Sequence, residues 1–283
     1  MSNCSCGNNH EHSNPLVPTL GTVFKIVDET PDIKTFYVST KDGKKPFTPM
    51  PGQLGMFSLV NLGEGMFSVT SQGENHLEFA IKKCGMLTDA LHEIRPGQTV
   101  GIRGPYGNGF PIDKCKGKDM LYIGGGIGLA PVRSLIKYSF EHRDDFGKID
   151  IIYGSRSPAD LCFKEDLFEN WPKERDAQVH ITVDKGDENW KGNVGFVPAF
   201  LEQINPDPKG KMVVLCGPPI MIKFCLHSLN KMGYTDDQVI TTLEMRMKCG
   251  IGKCGRCNIG SKYICLDGPV FTMEELKHLP NEF

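Results

Sequence analysis

Four cysteines stand within seventeen residues near the C-terminus: Cys249, Cys254, Cys257 and Cys265, in the stretch MKCGIGKCGRCNIGSKYICLDG from Met247 to Gly268. The segment is threaded with glycine and has little apolar content, so a hydrophobic core is not expected to hold it. Small lobes of this kind fold around a metal. The spacing is C-x4-C-x2-C-x7-C. Zinc ribbons and fingers favour two cysteine pairs separated by a longer spacer. A C-x4-C-x2-C opening is instead the plant-type pattern that ligates a [2Fe–2S] cluster. Gly250, Gly252 and Gly255 let the backbone close round the sulfides and offer N–H groups to them. Cys249, Cys254, Cys257 and Cys265 are therefore the expected metal ligands, with a zinc-bound, non-enzymatic interaction module as the alternative.

The chain has eleven cysteines, an odd number. The N-terminal MSNCSCGNNHEH lacks the basic and apolar regions of a signal peptide, so the thiols are read as reduced and the protein is expected in the cytoplasm. Cys84, Cys115, Cys162, Cys216 and Cys225 are read as small core hydrophobes. Cys4, Cys6, His10 and His12 lie in a polar segment, residues 1–14, read as a solvated tail. Formal charge is −2, from 32 basic and 34 acidic residues, which gives no field to draw nucleic acid or an anionic membrane. No apolar run reaches the ~18 residues of a membrane span.

From about Leu16 to Ile112 the pattern is of short β segments broken by Gly, Pro, Asp and Asn. GTVFKIVDE, IKTFYVST, GQLGMFSLVNL, GMFSVTSQ, HLEFAIKK and QTVGIRG alternate apolar and polar residues. Six such strands suggest a closed antiparallel barrel. TDALHEI is the one helix expected there, with Thr88 as its N-cap. After Lys114 strands alternate with helices: MLYIGGG, LAPVRSLIKYSFEHR, IDIIYGS, ADLCFKEDLFEN, VHITVD, VPAFLEQI, KMVVLCGP, PIMIKFCLHSLNKMG and QVITTLE. That rhythm implies a doubly wound parallel sheet with ligands at the carboxyl ends of its strands. The expected organisation is a barrel over residues 15–113, a nucleotide-binding domain over 114–240 and a metal lobe over 241–283.

YIGGGIGLAPV runs from a strand through glycines into a helix, the setting of a phosphate-binding turn. Gly124, Gly125 and Gly126 allow the tight turn, and Gly128 lets a pyrophosphate approach without a Cβ in the way. Pro131 fits the first helical turn, where its missing donor costs nothing. A plain strand-to-helix turn is the alternative. The second strand of this region ends in Ser155 and Arg156. An arginine there suits a 2′-phosphate, which leans toward NADP(H) over NAD(H). At the exit of the fourth strand, LCGPPIM, Cys216, Gly217 and Pro218 stand where a nicotinamide ring would lie, with an ordinary strand exit as the alternative.

These parts, in this order, resemble the ferredoxin reductase family. The family's Arg-x-aromatic-Ser stretch matches Gly65-Met66-Phe67-Ser68, with the arginine absent. The resemblance implies FAD, with Phe67 stacked on the flavin, Ser68 at its reactive nitrogen and Val69 beside them. The pyrophosphate charge contact then falls to Lys82 or Lys83. KKCGMLTDAL supplies Gly85, Leu87 and Thr88 at a helix start facing that pyrophosphate, and GIRGPYGNGF looks like the closing strand and turn. With the cysteine motif added, the chain resembles a narrower group of electron-transfer subunits: those of type B dihydroorotate dehydrogenase, anaerobic sulfite reductase and cytosolic nickel–iron sulfhydrogenases. The resemblance implies electrons passing between NAD(P)H, FAD and a [2Fe–2S] cluster, with Ser68 and Cys216 at the reacting centre. It also implies one or more redox partner subunits docked near the cluster. A self-sufficient reductase that serves a diffusible ferredoxin is the alternative within the same chemistry.

Overall fold

The computed structural model describes residues 14–280, so the Cys4, Cys6, His10 and His12 reading lies outside the described residues. The first half contains strands β1 (Thr19–Thr30), β2 (Ile33–Thr40), β3 (Leu54–Leu59), β4 (Gly63–Ser68), β5 (Ser71–Gln72), β6 (Leu77–Lys82) and β7 (Thr99–Tyr106), with helix α1 (Met86–Glu93) between the last two. They form one antiparallel sheet in the order β4-β3-β7-β1-β2-β6-β5. Alternate residues point inward, and Val23, Phe36, Val38, Phe57, Leu77, Phe79 and Ile102 make its core. The sheet is barrel-like and its ladder does not close, where a closed barrel of six strands was expected. GMFSVTSQ breaks into β4 and β5 because Val69 donates its N–H back to the Gln53 carbonyl at 3.0 Å, while Thr70 donates to Glu78 at 2.9 Å. Those two bonds curl the β4 and β6 edges toward each other.

The single turn α2 (Ile112–Cys115) leads into the second half. There β8 (Asp119–Gly125), α3 (Leu129–Glu141), β9 (Ile149–Ser155), β10 (Ala177–Val183), β11 (Asn193–Val194), α4 (Val197–Ile204), β12 (Lys211–Cys216), α5 (Pro219–Lys231) and β13 (Val239–Thr242) follow. The C-terminal stretch adds β14 (Asn258–Ile259), β15 (Lys262–Tyr263), α6 (Ile264–Asp267), β16 (Val270–Thr272) and α7 (Met273–Leu276). The second sheet runs β11-β10-β9-β8-β12-β13-β16, parallel except for β16, which pairs antiparallel with β13. Both faces are buried: Met120, Tyr122 and Ile151 pack on one side with Leu135 and Ile136 of α3. Leu121, Ile123, Val213 and Leu215 pack on the other with Leu201 of α4 and Leu229 of α5. Strand order reverses at β8, so a crevice opens between the carboxyl ends of β8 and β12.

Three local expectations are corrected. ADLCFKEDLFEN is not one helix but a 3-10 turn at Pro158–Asp160 and a wide turn at Asp166–Asn170. Between them Phe163 takes φ +53°, with its N–H held by the Glu29 carboxylate at 2.8 Å. Tertiary contacts to the first sheet thus override the helical pattern. Thr88 is not an N-cap; it lies inside α1, where its hydroxyl donates to the Gly85 carbonyl at 2.9 Å. Cys84 is exposed, whereas Cys115, Cys162, Cys216 and Cys225 are buried as expected of small core residues.

The two sheets are joined by a buried cation. Arg133 of α3 is 9% exposed at its side chain and meets Glu78 of β6 at 2.6 Å and Asp166 at 2.7 Å. Its guanidinium also lies 4.8 Å from the centre of the Phe163 ring. Burial acts to raise the Glu78 carboxyl, but Arg133, with Lys137, outweighs it and holds the group below its ordinary 4.5. This contribution is complete above that ordinary value and is lost as pH falls through the lower folded one. Arg133→Met removes the charge and leaves two enclosed carboxylates, so urea unfolding at neutral pH is expected to show a loss of about 3–5 kcal/mol. The deficit should shrink as acid neutralises the carboxylates.

Candidate functional site

The C-terminal lobe begins just after β13 and is gripped by the turn that follows β7. The Gly107 N–H donates to the Cys265 carbonyl at 3.1 Å and the Asn108 N–H to Gly268 at 2.5 Å. The Asn108 amide then donates to Asp267 at 3.0 Å and Val270 at 2.7 Å, and its oxygen accepts the Val270 N–H at 3.0 Å. A small apolar cluster of Leu243, Ile259, Ile264 and Phe271 packs with Cys257 and Cys265. The lobe therefore has a modest core, contrary to the coreless segment expected.

Within that frame backbone donors converge on cysteine sulfur. Ile251, Lys253 and Cys254 aim their N–H groups at Cys249 Sγ at 3.4, 3.3 and 3.5 Å, and Gly252 aims at Cys265 Sγ at 3.3 Å. Gly250, Gly252 and Gly255 all have positive φ, which lets successive N–H groups turn inward. Burial acts to raise the Cys249 thiol, yet these donors bring it down to about 6. The Cys265 thiol is pushed up to about 12 by burial, with Cys257 and Cys249 adding to it. Cys249 interacts with Cys254, and Cys265 with both Cys257 and Cys249, so the four cysteines act on one another as one group. Four cysteine sulfurs with backbone N–H groups converging on two of them are a donor set that fits a binuclear iron–sulfur cluster, in which each iron takes two cysteines.

The crevice of the parallel sheet brings together Gly124, Gly125, Gly126, Gly128, Cys216, Gly217 and Pro218, with Cys216 in register with Gly124. The glycines there have different reasons. A Cβ on Gly128 would stand 2.6 Å from the Cys216 carbonyl and from Gly217 Cα, so this glycine serves the close approach of β12. Gly126 has φ +54° and open space around it, held by its carbonyl accepting from the buried Tyr153 hydroxyl at 3.2 Å. Gly126 therefore leaves open space at the turn, while Gly128 closes it against β12. Pro131 lies in the first turn of α3. Cys216 Sγ accepts from the Thr242 hydroxyl at 3.0 Å, and burial pushes its thiol up to about 12. Ser155 turns its hydroxyl away, to the Ser157 carbonyl at 2.7 Å. Arg156 is 68% exposed and is bound by Asp160 at 2.6 Å and Asp32 at 3.9 Å.

On the first sheet Phe67 and Leu87 pack at the edge of one cluster, below the start of α1. Gly85 there faces open space. Ser68 is half-buried at the end of β4, opposite Leu54, whereas Val69 is buried and its N–H is used within the sheet. Lys82 pairs with Asp32 at 3.3 Å, the same carboxylate that reaches Arg156, and Lys83 with Glu93 at 3.8 Å. A shallow cleft at the seam with α3 is lined by Val69 but by none of the other residues expected at the cofactor sites. Sequence reasoning missed Arg103, Asn108, Tyr153 and Thr242. Arg103 and Asn108 lay in GIRGPYGNGF, Tyr153 in IDIIYGS and Thr242 in QVITTLE, stretches quoted for their strands and turns, and nothing in their spacing showed which distant residues these four side chains reach.

The architecture is that of a ferredoxin reductase. A chain of the NADH-dependent reduced ferredoxin–NADP oxidoreductase structure superposes with a TM-score of 0.75 at 23% identity, covering 90% of this chain and 88% of that one. A ferredoxin NADP+ reductase from Neisseria gonorrhoeae with bound FAD and NADP gives 0.65 at 21% identity, over 79% and 97%. Residues 122–227 match the oxidoreductase NAD-binding domain, and residues 244–277 the iron–sulfur cluster binding domain of dihydroorotate dehydrogenase B. Sulfhydrogenase 1 subunit gamma of Pyrococcus furiosus is 37% identical over 95% of both chains. The probable dihydroorotate dehydrogenase B electron transfer subunit of Methanocaldococcus jannaschii is 32% identical over 93% of this chain and 92% of its own. The chain belongs to the family of electron-transfer subunits that includes these two proteins.

The two glycine environments give opposite expectations. Gly128→Ala drives a Cβ into backbone and should cost about 1–3 kcal/mol in urea unfolding. Gly85→Ala should leave stability unchanged, because its Cβ meets nothing within 4 Å.

Proposed function

We propose that the chain is the diaphorase-type electron-transfer subunit of a larger cytoplasmic redox complex. It carries electrons between NAD(P)H and a partner subunit by way of FAD and a [2Fe–2S] cluster. The observation that carries this reading is the set of four backbone N–H groups aimed at Cys249 and Cys265 sulfur, in a lobe clamped to a ferredoxin reductase fold. Residues 15–113 would hold FAD, 114–240 the nicotinamide nucleotide and 241–283 the cluster, with β16 shared between the lobe and the parallel sheet.

When bound, the flavin exchanges a hydride with the nicotinamide and single electrons with the cluster. The chain supplies geometry and field. Phe67 offers a ring face to the isoalloxazine and Ser68 a hydroxyl near its reactive nitrogen. Gly85 leaves the start of α1 open, so that helix N–H groups and the Thr88 region face the pyrophosphate. Lys82 and Arg156 meet at Asp32 and bring positive charge to the rim between the halves. At the nicotinamide end Gly126 receives phosphate, and Cys216 borders the ring. With its thiol pushed up to about 12, Cys216 keeps its proton on Sγ, so it shapes the ring's position rather than acting as base or nucleophile. Arg156 bound to two carboxylates weakens the sequence's leaning toward the 2′-phosphate and leaves NADH as an equal substrate. Cys249, Cys254, Cys257 and Cys265 ligate the cluster.

Protein purified without oxygen is expected to contain FAD and about two irons per chain. Its flavin band should bleach on addition of NADH or NADPH, and electron paramagnetic resonance should then show a reduced [2Fe–2S] signal. Absence of flavin together with one bound zinc would overturn the proposal. Gly85→Val should lower FAD content at unchanged unfolding free energy. Cys254→Ser should lose the cluster signal and keep the NAD(P)H bleaching.

A further inference from the structure

We infer that Arg103 is a positioning and potential-setting residue for the cysteine lobe: a buried cation, oriented by Glu64, that holds the cluster loop against the outer face of the flavin-bearing strand. The inference rests on the reading of Cys249–Cys265 as a cluster site.

Arg103 lies on β7, its side chain 4% exposed. Both β4 and β7 pair with β3, and Met56 is opposite Met66 on one side and Arg103 on the other. Met56, Met66 and Arg103 therefore share one face, the one turned away from the core that holds Phe57, Ile102 and Phe67. That face is covered by the lobe: Met247 and Ile251 pack there against Leu54, Met56 and Tyr106. Glu64 and Met66 lie on the corresponding row along β4, Glu64 meeting Arg103 and Met66 packing with Met247 and Ile251, so the strand assigned to the flavin also touches the cluster loop.

The guanidinium is divided between these neighbours. One terminal nitrogen meets the Glu64 carboxylate at 2.7 Å. The other donates to the Tyr106 hydroxyl at 2.8 Å and the Pro15 carbonyl at 3.1 Å, and reaches the Cys249 carbonyl at 3.5 Å. Tyr106 in turn donates to Pro15 at 2.7 Å, which fixes the arginine from below. The Nε of Arg103 is buried and has no hydrogen-bond partner among the described residues. A buried donor left unpaired is uncommon and costs stability, so its retention calls for a reason beyond packing. The pair with Glu64 is a dipole whose positive end faces the peptide of Cys249. Adding an electron to a cluster adds negative charge, which a nearby fixed cation favours; fixed charge and burial are among the levers that set cluster potentials.

The arrangement predicts opposite shifts from its two ends. In the full-length holoprotein, Arg103→Met should move the cluster midpoint potential to more negative values in a titration followed by electron paramagnetic resonance. Arg103→Lys should recover most of that shift. Glu64→Gln, isosteric and at the more exposed end, should move the midpoint to more positive values by freeing the cation from its counter-charge. A merely structural role would not give shifts of opposite sign. If the Met variant fails to bind its cluster, Glu64→Gln decides: an unmoved midpoint with the cluster intact overturns the inference. A wild-type protein with no [2Fe–2S] signal would overturn the reading of the site itself, a separable outcome.

Discussion

Electron transfer through protein depends steeply on separation, so a chain of redox sites needs its parts held rigidly. Here a buried guanidinium stands at the centre of the seam between the two large pieces, flanked by the Glu29–Phe163 and Asp32–Arg156 contacts. Arg133 reaches out of the parallel-sheet unit into a cage made by Glu78 of the first sheet and Asp166 of its own, roofed by Phe163. Enclosing three charges gains little over an apolar contact of the same shape, because desolvation offsets attraction. What the cage supplies is direction. Only one docking of α3 on β6 satisfies both carboxylates, and that docking sets the crevice between β8 and β12 relative to Phe67 and α1.

The third piece, the cysteine lobe, is attached by different means. β7 and its turn serve as the common support: Arg103 and Tyr106 face the start of the cysteine loop, while Gly107 and Asn108 bond its end. One strand of the first sheet therefore touches both limits of the cysteine set, and the same strand pairs with β3, the neighbour of β4. The backbone donors that lower the Cys249 thiol depend on this support, since a loop free to breathe would not keep successive N–H groups on one sulfur.

Much of this could be read from local signals, and the failures share a cause. The x4, x2, x7 cysteine spacing, the strand–glycine–helix run at residues 120–131 and the change from strand-only to alternating rhythm are short-range features, and the structure keeps all three. Thr88 missed its expected cap because the helix is entered three residues earlier, at Gly85, which the TDALHEI pattern cannot register. The 159–170 stretch lost its helix to a carboxylate far away in sequence, Glu29. Gly128 reads in sequence as a phosphate-facing glycine, and the structure adds a packing reason for it that the sequence does not display, because the atoms a Cβ would meet belong to the end of β12 and the residue after it. Arg103 and Thr242 sit in stretches that read only as strands and turns. Their partners, Cys249 and Cys216, become neighbours only after the sheets have formed. Long-range pairing of this sort is what a single sequence does not display.

The antiparallel pairing of β16 with β13 has a consequence for kinetics. Many redox proteins carry a small metal domain on a flexible tether, and their turnover then contains a search step in which the domain swings between donor and acceptor. In this chain the lobe is stitched into the central sheet by Ile240–Thr272, Thr241–Phe271 and Thr242–Val270, and so shares the sheet's rigidity. The cluster site is thereby a fixed relay point and not a shuttle. Solvent viscosity should accordingly have little hold on the internal step, and any diffusional search belongs to whatever arrives at the lobe's outer surface.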